Sequence, residues 1–392
     1  MDNFIIGFTG AFGSGCSFLS ENFLVKKQGF IKYSLSDILK EEYKKENEGD
    51  YKNRHQLQEY GNHIRQDKTK SYLAERVFEK IKTDIKNPNQ KIIIDSFRNP
   101  AEVEFIRKHC TKFFLIAVFA DKEVRWDRVS SAYSGKYDEF CDDDIKDQGS
   151  SEPGYGQKVS NCFFLADLIL ANNKHINCEQ TNTSYNEMKS TLDNYVAAFT
   201  EPETSHPSIN ETLMAIAYTN GRRSKCTKRK VGAIIVDSLN NILSSGFNDV
   251  PVGLEDCAGK HGLCYRDQIR RGLIEEYTKL LNGDSDLAQK IVKRIKMLEL
   301  CRALHAEENA ILNLVRSSSR TDFSDCTLYA TTYPCNLCAN KIVQTGIKKV
   351  IYFEPYPVKE AKEIFEQANV KADPFQGITF RAFFKAFNFE VE

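Results

Sequence analysis

Short apolar runs rich in β-branched residues recur through the first half of this chain, separated by charged stretches of helical length. The runs at 4–9 (FIIGFT), 91–95 (KIIID) and 113–119 (FFLIAVF) lack the polar/apolar alternation of a half-exposed sheet. Runs of that kind are buried on both faces, as in a parallel sheet covered by helices. The stretches 16–27, 34–45 and 57–82 read as the helices between them, and 164–171 (FLADLILA) as a last strand. Neither an all-β nor an all-α fold accommodates this alternation, and a layered α/β domain does. The segment 131–161 is polar, acidic and contains glycine, and it reads as a mobile loop or lid.

Two prolines among polar residues make 201–208 (EPETSHPS) a linker, which divides the chain into domains at 1–200 and 209–392. Two domains suit a length of 392 residues, and 41% hydrophobic residues supply each with a core. The second half reads as a helix at 210–220 and a hairpin of strands 231–237 and 241–247 turning at Leu239-Asn240. Helical periodicity follows over 287–315, then a strand at 326–331, a helix at 335–345 and a strand at 350–354. This half is α/β with a mixed sheet, and no internal repeat is present.

Lysine plus arginine and aspartate plus glutamate each total 54, so no global positive field recruits nucleic acid. The chain enters its first strand without a basic leader, and no apolar stretch reaches the roughly 18–20 residues that span a bilayer. A soluble, cytoplasmic protein without membrane attachment is expected. Twelve cysteines in such a chain point to free thiols and metal ligands, not to a disulfide framework.

The densest chemistry lies in the second half. His305-Ala306-Glu307 opens a helical run, and Pro334-Cys335-Asn336-Leu337-Cys338 follows thirty residues later. One imidazole and two thiolates give zinc three ligands and leave the fourth position to water, which is the catalytic arrangement. Cys335 and Cys338 are three apart and share a helical face, and a helix N-terminus favours their thiolates. Zinc lowers the pKa of a bound water to about 7. Helical geometry places Glu308 on the face of His305 more naturally than Glu307. A structural zinc with a fourth ligand elsewhere is the competing reading.

The pattern H-x-E…P-C-x-x-C is that of zinc nucleobase deaminases. The second half resembles the deoxycytidylate deaminase family through SKCTKRKVGAIIV, GFNDVP, CRALHAEENAI and TTYPCNLCANKIVQTGIKKVIYFEPYP. The resemblance implies Glu307 as the catalytic proton carrier and His305, Cys335 and Cys338 as ligands of one catalytic zinc. It implies that Asn248 meets the sugar of a free deoxycytidine nucleotide; a turn-forming asparagine after the hairpin is the alternative. Six basic residues in RRSKCTKRK (222–230) are either a solvated face or a phosphate site, with Arg223 and Lys225 as candidates. Tyr356 is a candidate for the base pocket, or a core aromatic. Cys226, Cys257, His261, Cys264 and Cys301 crowd in sequence near the first site, and some relatives hold a second, structural zinc there; buried free thiols are the alternative.

GAFGSGCS (10–17) follows the first strand and approximates the phosphate-loop pattern G-x-x-x-x-G-K-[ST]. Gly10, Gly15 and Ser17 fit, while Cys16 stands where lysine belongs. Such a loop offers backbone N–H groups to phosphates, with Gly13, Ser14 and Cys16 alongside those three. Without the lysine, nucleotide binding is expected and efficient phosphoryl transfer is not. Asp95 occupies a Walker-B-like place, and Arg98, Arg125 and Arg128 are within reach of phosphates; surface charges on an inherited fold are the alternative. The first domain resembles nucleoside monophosphate kinases through this loop, IIIDSFRNPAEVEFIR and DKEVRWDRV. The expected fold is therefore a P-loop kinase-like parallel sheet domain, followed by a cytidine-deaminase-like α/β/α domain.

Nearly the whole chain, including HQLQEYGNHIRQD and GQKVSNCFFLADLILANN, resembles bacterial anti-phage deoxycytidine nucleotide deaminases. That resemblance implies dCTP and/or dCMP as substrate, a regulatory nucleotide at the kinase-like domain, a small repressing RNA and a homo-oligomer, often a hexamer. Three other readings compete with it. One is a housekeeping dCMP deaminase controlled through the first domain, the second is an RNA- or DNA-editing deaminase gripping its strand with 222–230, and the third is a pure binding module, a nucleotide sensor with a structural zinc.

Overall fold

The computed structural model describes residues 1–47, 49, 51, 53–149, 154–174, 183–295, 297, 300–354 and 359–387, with the backbone alone of His261. Among them, no helix is long and apolar enough to cross a membrane. The chain divides into two compact units, Met1–Glu211 with Gln376–Glu392, and Thr212–Phe375.

The first unit is built on five parallel strands: β1 (Ile5–Thr9), β2 (Ile31–Ser34), β3 (Ile92–Phe97), β4 (Phe113–Phe119) and β5 (Leu168–Ala171). They run in the order β5-β4-β1-β3-β2. Ile5, Ile6, Phe8, Ile92, Ile93, Ile94, Leu115 and Ile116 are fully buried, because helices cover both faces of the sheet. β1 lies between β3 and β4, so the loop that leaves its carboxyl end opens at a topological switch point, where open α/β sheets place ligands. A bulge in β3 puts Ser96 at φ 73°, where its N–H meets the Asp95 carboxylate at 2.7 Å.

Several elements differ from the sequence reading. The helix after the glycine loop spans Cys16–Leu19, a π-helical turn Ser20–Val25 and Lys26–Gln28. The long helix expected at 57–82 is two helices, Arg54–Asp67 and Tyr72–Asp84. Residues 131–161, expected to be a mobile loop, carry helices Tyr137–Gln148 and Val159–Phe164. Their acids are the reason: Asp143, Asp144 and Asp147 are buried, and the last two are ion-paired to arginines from other elements. In the second half, the periodicity over 287–315 resolves into Ser285–Arg294 and Ala306–Ser317, and helix Tyr265–Leu280 was not legible.

The second unit carries β6 (Gly232–Val236), β7 (Ile242–Phe247), β8 (Thr327–Ala330), β9 (Lys349–Tyr352) and β10 (Lys371–Pro374). Their order is β10-β9-β8-β6-β7, with β6 antiparallel to both its neighbours and β8, β9 and β10 mutually parallel. The parallel pairs need crossovers, and helices Asn336–Thr345 and Lys359–Gln367 supply them. Ala233, Ile235, Leu328 and Ala330 form one core with Ala306, Ala310, Ala339 and Ile342.

The second unit does not keep the last residues. Only Phe375 and Gln376 separate β10 from β11 (Gly377–Ile378), which pairs antiparallel with β5 in the first unit's sheet. The Ile378 N–H donates to Glu211 Oε1 at 2.7 Å and the Thr379 N–H to the Asp167 carbonyl at 2.9 Å. The domain expected at 209–392 therefore gives up its tail, a result of strand pairing that composition does not signal.

Candidate active site

His305 is the N-cap of helix Ala306–Ser317, and Cys335 is the N-cap of helix Asn336–Thr345. Two helix N-termini thus converge, and both favour negative charge. His305 Nδ1 lies 3.4 Å from Cys335 Sγ and 3.4 Å from Cys338 Sγ, and the three ligand atoms fall within 4.8 Å of one another.

The first helix is fixed against β7. Gly246 has no side chain there because a Cβ would sit 2.2 Å from the Ala306 carbonyl. Ser244 Oγ donates to the Ala310 carbonyl, Asn309 to that of Phe247 and Asn313 to that of Ser245, all at 2.8–2.9 Å. The second helix is anchored by buried Ala339 and Ile342.

Hydrogen bonding from Cys338, supported by His305, holds the Cys335 thiol down to about 4 against the effect of burial. Cys338 is pushed up by its bond to Cys335 and by burial, and His305 is raised by its bond to Cys335. The cluster therefore carries protons that an entering cation releases. Soft thiolates with an imidazole at this spacing fit zinc, with a fourth position left over.

Glu307 and Glu308 take different parts. Glu308 accepts the His305 N–H at 3.4 Å and ion-pairs with Lys341 of the other ligand-bearing helix. Glu307 is 3% exposed, hydrogen-bonds Cys338, and is pushed up to about 7 chiefly by burial. A carboxyl tuned to neutral pH beside a metal site is equipped to carry protons.

In the first unit, 10–17 lines a cavity of about 400 Å³ together with Asp95, Ser96, Arg98, Arg128 and Asn172. Among the described residues the N–H groups of Gly13 and Gly15 find no protein acceptor, while that of Phe12 donates to Asp147 at 3.2 Å. Burial, then Asp95, pushes the Cys16 thiol up to about 12, so it brings no charge to the loop. Asp95 is held by Ser17 Oγ at 2.7 Å and Lys32 Nζ at 3.1 Å. Arg128 donates to the Gly13 carbonyl at 3.3 Å and to the Asn172 carbonyl at 2.8 Å, and Arg125 is committed to Asp144. Asn172, which binds the Ser14 carbonyl at 2.7 Å, carried no local signal in the sequence.

Residues 207–354 match the family model described as the cytidine and deoxycytidylate deaminase zinc-binding region. Deoxycytidylate deaminase of Homo sapiens is 32% identical over 178 residues, which cover 44% of this chain and 78% of that relative. That of Mycobacterium phage D29 is 31% identical over 148 residues, 38% of this chain and 96% of the relative. The chain belongs to the deoxycytidylate deaminase family. The family member of Schizosaccharomyces pombe matches at 28% over 272 residues, 68% of this chain and 71% of its own length. A solved structure, dCMP deaminase from cyanophage S-TIM5 in complex with dCMP and dUMP, is 25% identical with a TM-score of 0.30, covering 44% of this chain and 99% of that one. As a deoxycytidylate deaminase family member, the chain is a zinc-dependent hydrolase that deaminates the cytosine of deoxycytidine nucleotides.

The remaining family-implied residues are placed as follows. Asn248 is buried, accepts the Val231 N–H at 2.7 Å and donates to the Arg229 carbonyl at 2.8 Å, fixing the start of β6. The Arg223 guanidinium stacks on Phe247 at 4.7 Å, and Lys225 pairs with Asp256 at 3.9 Å. Tyr356 lies outside the described residues. Among the described residues, His305, Cys335 and Cys338 form the one cluster able to hold a metal, and Cys226, Cys257, Cys264 and Cys301 are not gathered into a second. Cys257 opens one short helix and Cys264 caps the next. The side chain of His261 is outside the described residues.

Proposed function

We propose that this chain hydrolyses dCTP as well as dCMP, giving dUTP and dUMP, and drains the deoxycytidine nucleotide pool during phage infection. The observation that carries the chemistry is Glu307, buried beside His305, Cys335 and Cys338. Those three residues would hold zinc, which when bound lowers the pKa of a coordinated water to about 7. Near neutral pH Glu307 holds and gives up a proton readily. It takes protons from the attacking water and passes one to the pyrimidine ring nitrogen and one to the departing amine, so that the water oxygen bonds to C4, the C4–N bond breaks, and uracil and ammonia remain. Arg223 and Lys225 meet the phosphate, and Tyr356 the base. Asn248 meets the deoxyribose, its carboxamide keeping one lone pair and one N–H beyond the bonds it already makes.

The first unit is read as a P-loop nucleotide-kinase-like domain retained for regulation. Its support is the glycine loop at the switch point of a parallel sheet, with a neutral Cys16 and an Asp95 already tied to Lys32. That arrangement suits binding a phosphate without transferring it. Regulation of this kind is reciprocal, so substrate alters effector affinity as effector alters substrate affinity. A homo-oligomer of the hexameric kind and a small repressing RNA complete the reading.

The test is a deamination panel on zinc-loaded protein with dCMP, dCTP, CMP, CTP, deoxycytidine and a cytosine-containing oligonucleotide. Turnover of dCTP is expected, reduced at least about a hundredfold in Glu307→Ala with zinc content unchanged. Turnover of dCMP alone would replace the pool-draining reading with a metabolic one, and activity confined to the oligonucleotide would overturn both.

A further inference from the structure

Behind the glycine loop stands a lysine that the loop pattern does not call for. Lys32 lies on β2 in register with Ile93 of β3, so its side chain rises on the face that carries Asp95 two residues further on. Its ammonium reaches Asp95 Oδ2 at 3.1 Å and Glu21 Oε1 at 2.7 Å. The same Asp95 oxygen accepts from Ser17 Oγ at 2.7 Å, and Asp95 Oδ1 accepts the Ser96 N–H at 2.7 Å. Asp95 is 1% exposed, whereas the Glu21 side chain is half in solvent. Burial works against the Lys32 charge, but Asp95 and Glu21 more than offset it and hold the ammonium above the ordinary lysine value. Lys32 is therefore charged throughout the neutral range.

A phosphate loop ordinarily holds a magnesium ion with its own serine or threonine and an acid from a nearby strand. Ser17 and Asp95 stand in those two places, and they do not fit the ion. Magnesium demands octahedral oxygen ligands at about 2.0–2.1 Å and is reluctant to give up its waters. The Asp95 oxygen nearest Ser17 already carries a hydroxyl and an ammonium, and its charge is matched in the interior by Lys32. A divalent cation entering there would meet Lys32 as a like charge. Among the described residues Lys32 is the cation paired with Asp95, while Arg98 is spent on Asp147 at 2.6 Å. Ser17 and Asp95 line the loop's cavity and Lys32 does not, so Lys32 acts on it through Asp95, by cancelling a negative charge that would repel a phosphate.

We propose that Lys32 takes the place of a divalent cation in the first unit, so that the glycine loop binds a phosphorylated ligand in its metal-free form. Metal independence of this kind rests on reading the loop as an anion site.

The experiment uses the full chain, zinc-loaded, in buffer either free of magnesium or supplied with it. Binding of inorganic phosphate, pyrophosphate and ATP is measured by calorimetry; none carries a cytosine, so none is consumed by deamination. The unaltered chain is compared with Lys32→Met, with Lys32→Arg and with the double variant Lys32→Met, Asp95→Asn. At least one probe is expected to bind the unaltered chain without magnesium, and magnesium should not strengthen it. Lys32→Met should weaken magnesium-free binding about tenfold or more, and magnesium should restore it, because the bare carboxylate is then open to the ion. Lys32→Arg should keep magnesium-free binding. The double variant lacks both charges, so it should fold and bind without magnesium even where Lys32→Met alone loses its fold. Binding that requires magnesium in the unaltered chain, or that Lys32→Met leaves unchanged, overturns the role of Lys32 and leaves the glycine-loop reading standing. A folded double variant that binds only with magnesium does the same. Absence of binding by every probe, with and without magnesium, overturns both.

Discussion

Glu307 and Glu308 are neighbours with the same side chain, and their surroundings give them different work. Glu308 faces a backbone N–H and Lys341, where a full negative charge is useful. Glu307 faces thiols in a buried site, where its proton is held until about pH 7. Asp147 shows the opposite outcome of burial. Burial alone would raise its carboxyl, but Arg98 and Arg54 hold it below the ordinary range, and the Phe12 N–H adds to this. A carboxylate depressed in this way stabilises the fold above its unfolded pKa of about 3.9, and that contribution is lost as the pH falls through the lower folded value. Asp147→Asn should cost about 3–5 kcal/mol, because two arginines then lack their partner in the interior. Urea melts across pH should show that difference in full above about pH 4 and closing below it.

The candidate zinc site depends on how closely a helix approaches a strand. Gly246 on β7 and Gly232 on β6 both face helix backbone at a distance that forbids a side chain: a Cβ at Gly232 would sit 1.9 Å from the Ala217 carbonyl. Gly246→Ala should therefore push helix Ala306–Ser317 away from β7 and take His305 and Glu307 with it. The expected cost is about 1–3 kcal/mol by overpacking. Zinc content by elemental analysis should fall together with turnover, while helix content by circular dichroism is retained. Normal zinc content in a folded variant would show that the site tolerates the displacement.

The chain leaves the first unit after Glu211 and re-enters it at Gln376, so removing its end acts on the opposite unit from the one preceding it. Ending the chain at Phe375 deletes β11 and the buried side chains of Ile378, Phe383 and Phe387. The melting transition of the first unit should drop by about 5 °C or more. Zinc chelation should instead lower the transition of the second unit, because ligand binding to the folded form is the linkage that is removed. Differential scanning calorimetry of the full chain, the truncated chain and the chelated chain distinguishes the two effects.

Much of this protein was legible in local pattern. The apolar runs around 5–9, 92–97 and 113–119 became strands because nothing but a doubly covered sheet buries them on both faces. The cluster of His305, Cys335 and Cys338 was legible as a candidate metal site because zinc demands few residue types at fixed spacings. What the tertiary structure alone decided depends on groups far apart in the chain. Glu307 was separated from Glu308 by a lysine 33 residues away from the latter. The acids of 143–147 turned an expected loop into buried helix by meeting Arg54, Arg98 and Arg125. The last strand joined the first unit's sheet through the backbone hydrogen bonds of β5, which any side chain can make. Periodicity and spacing report a residue's near neighbours, whereas charge pairing and strand addition are settled by whichever distant segment arrives.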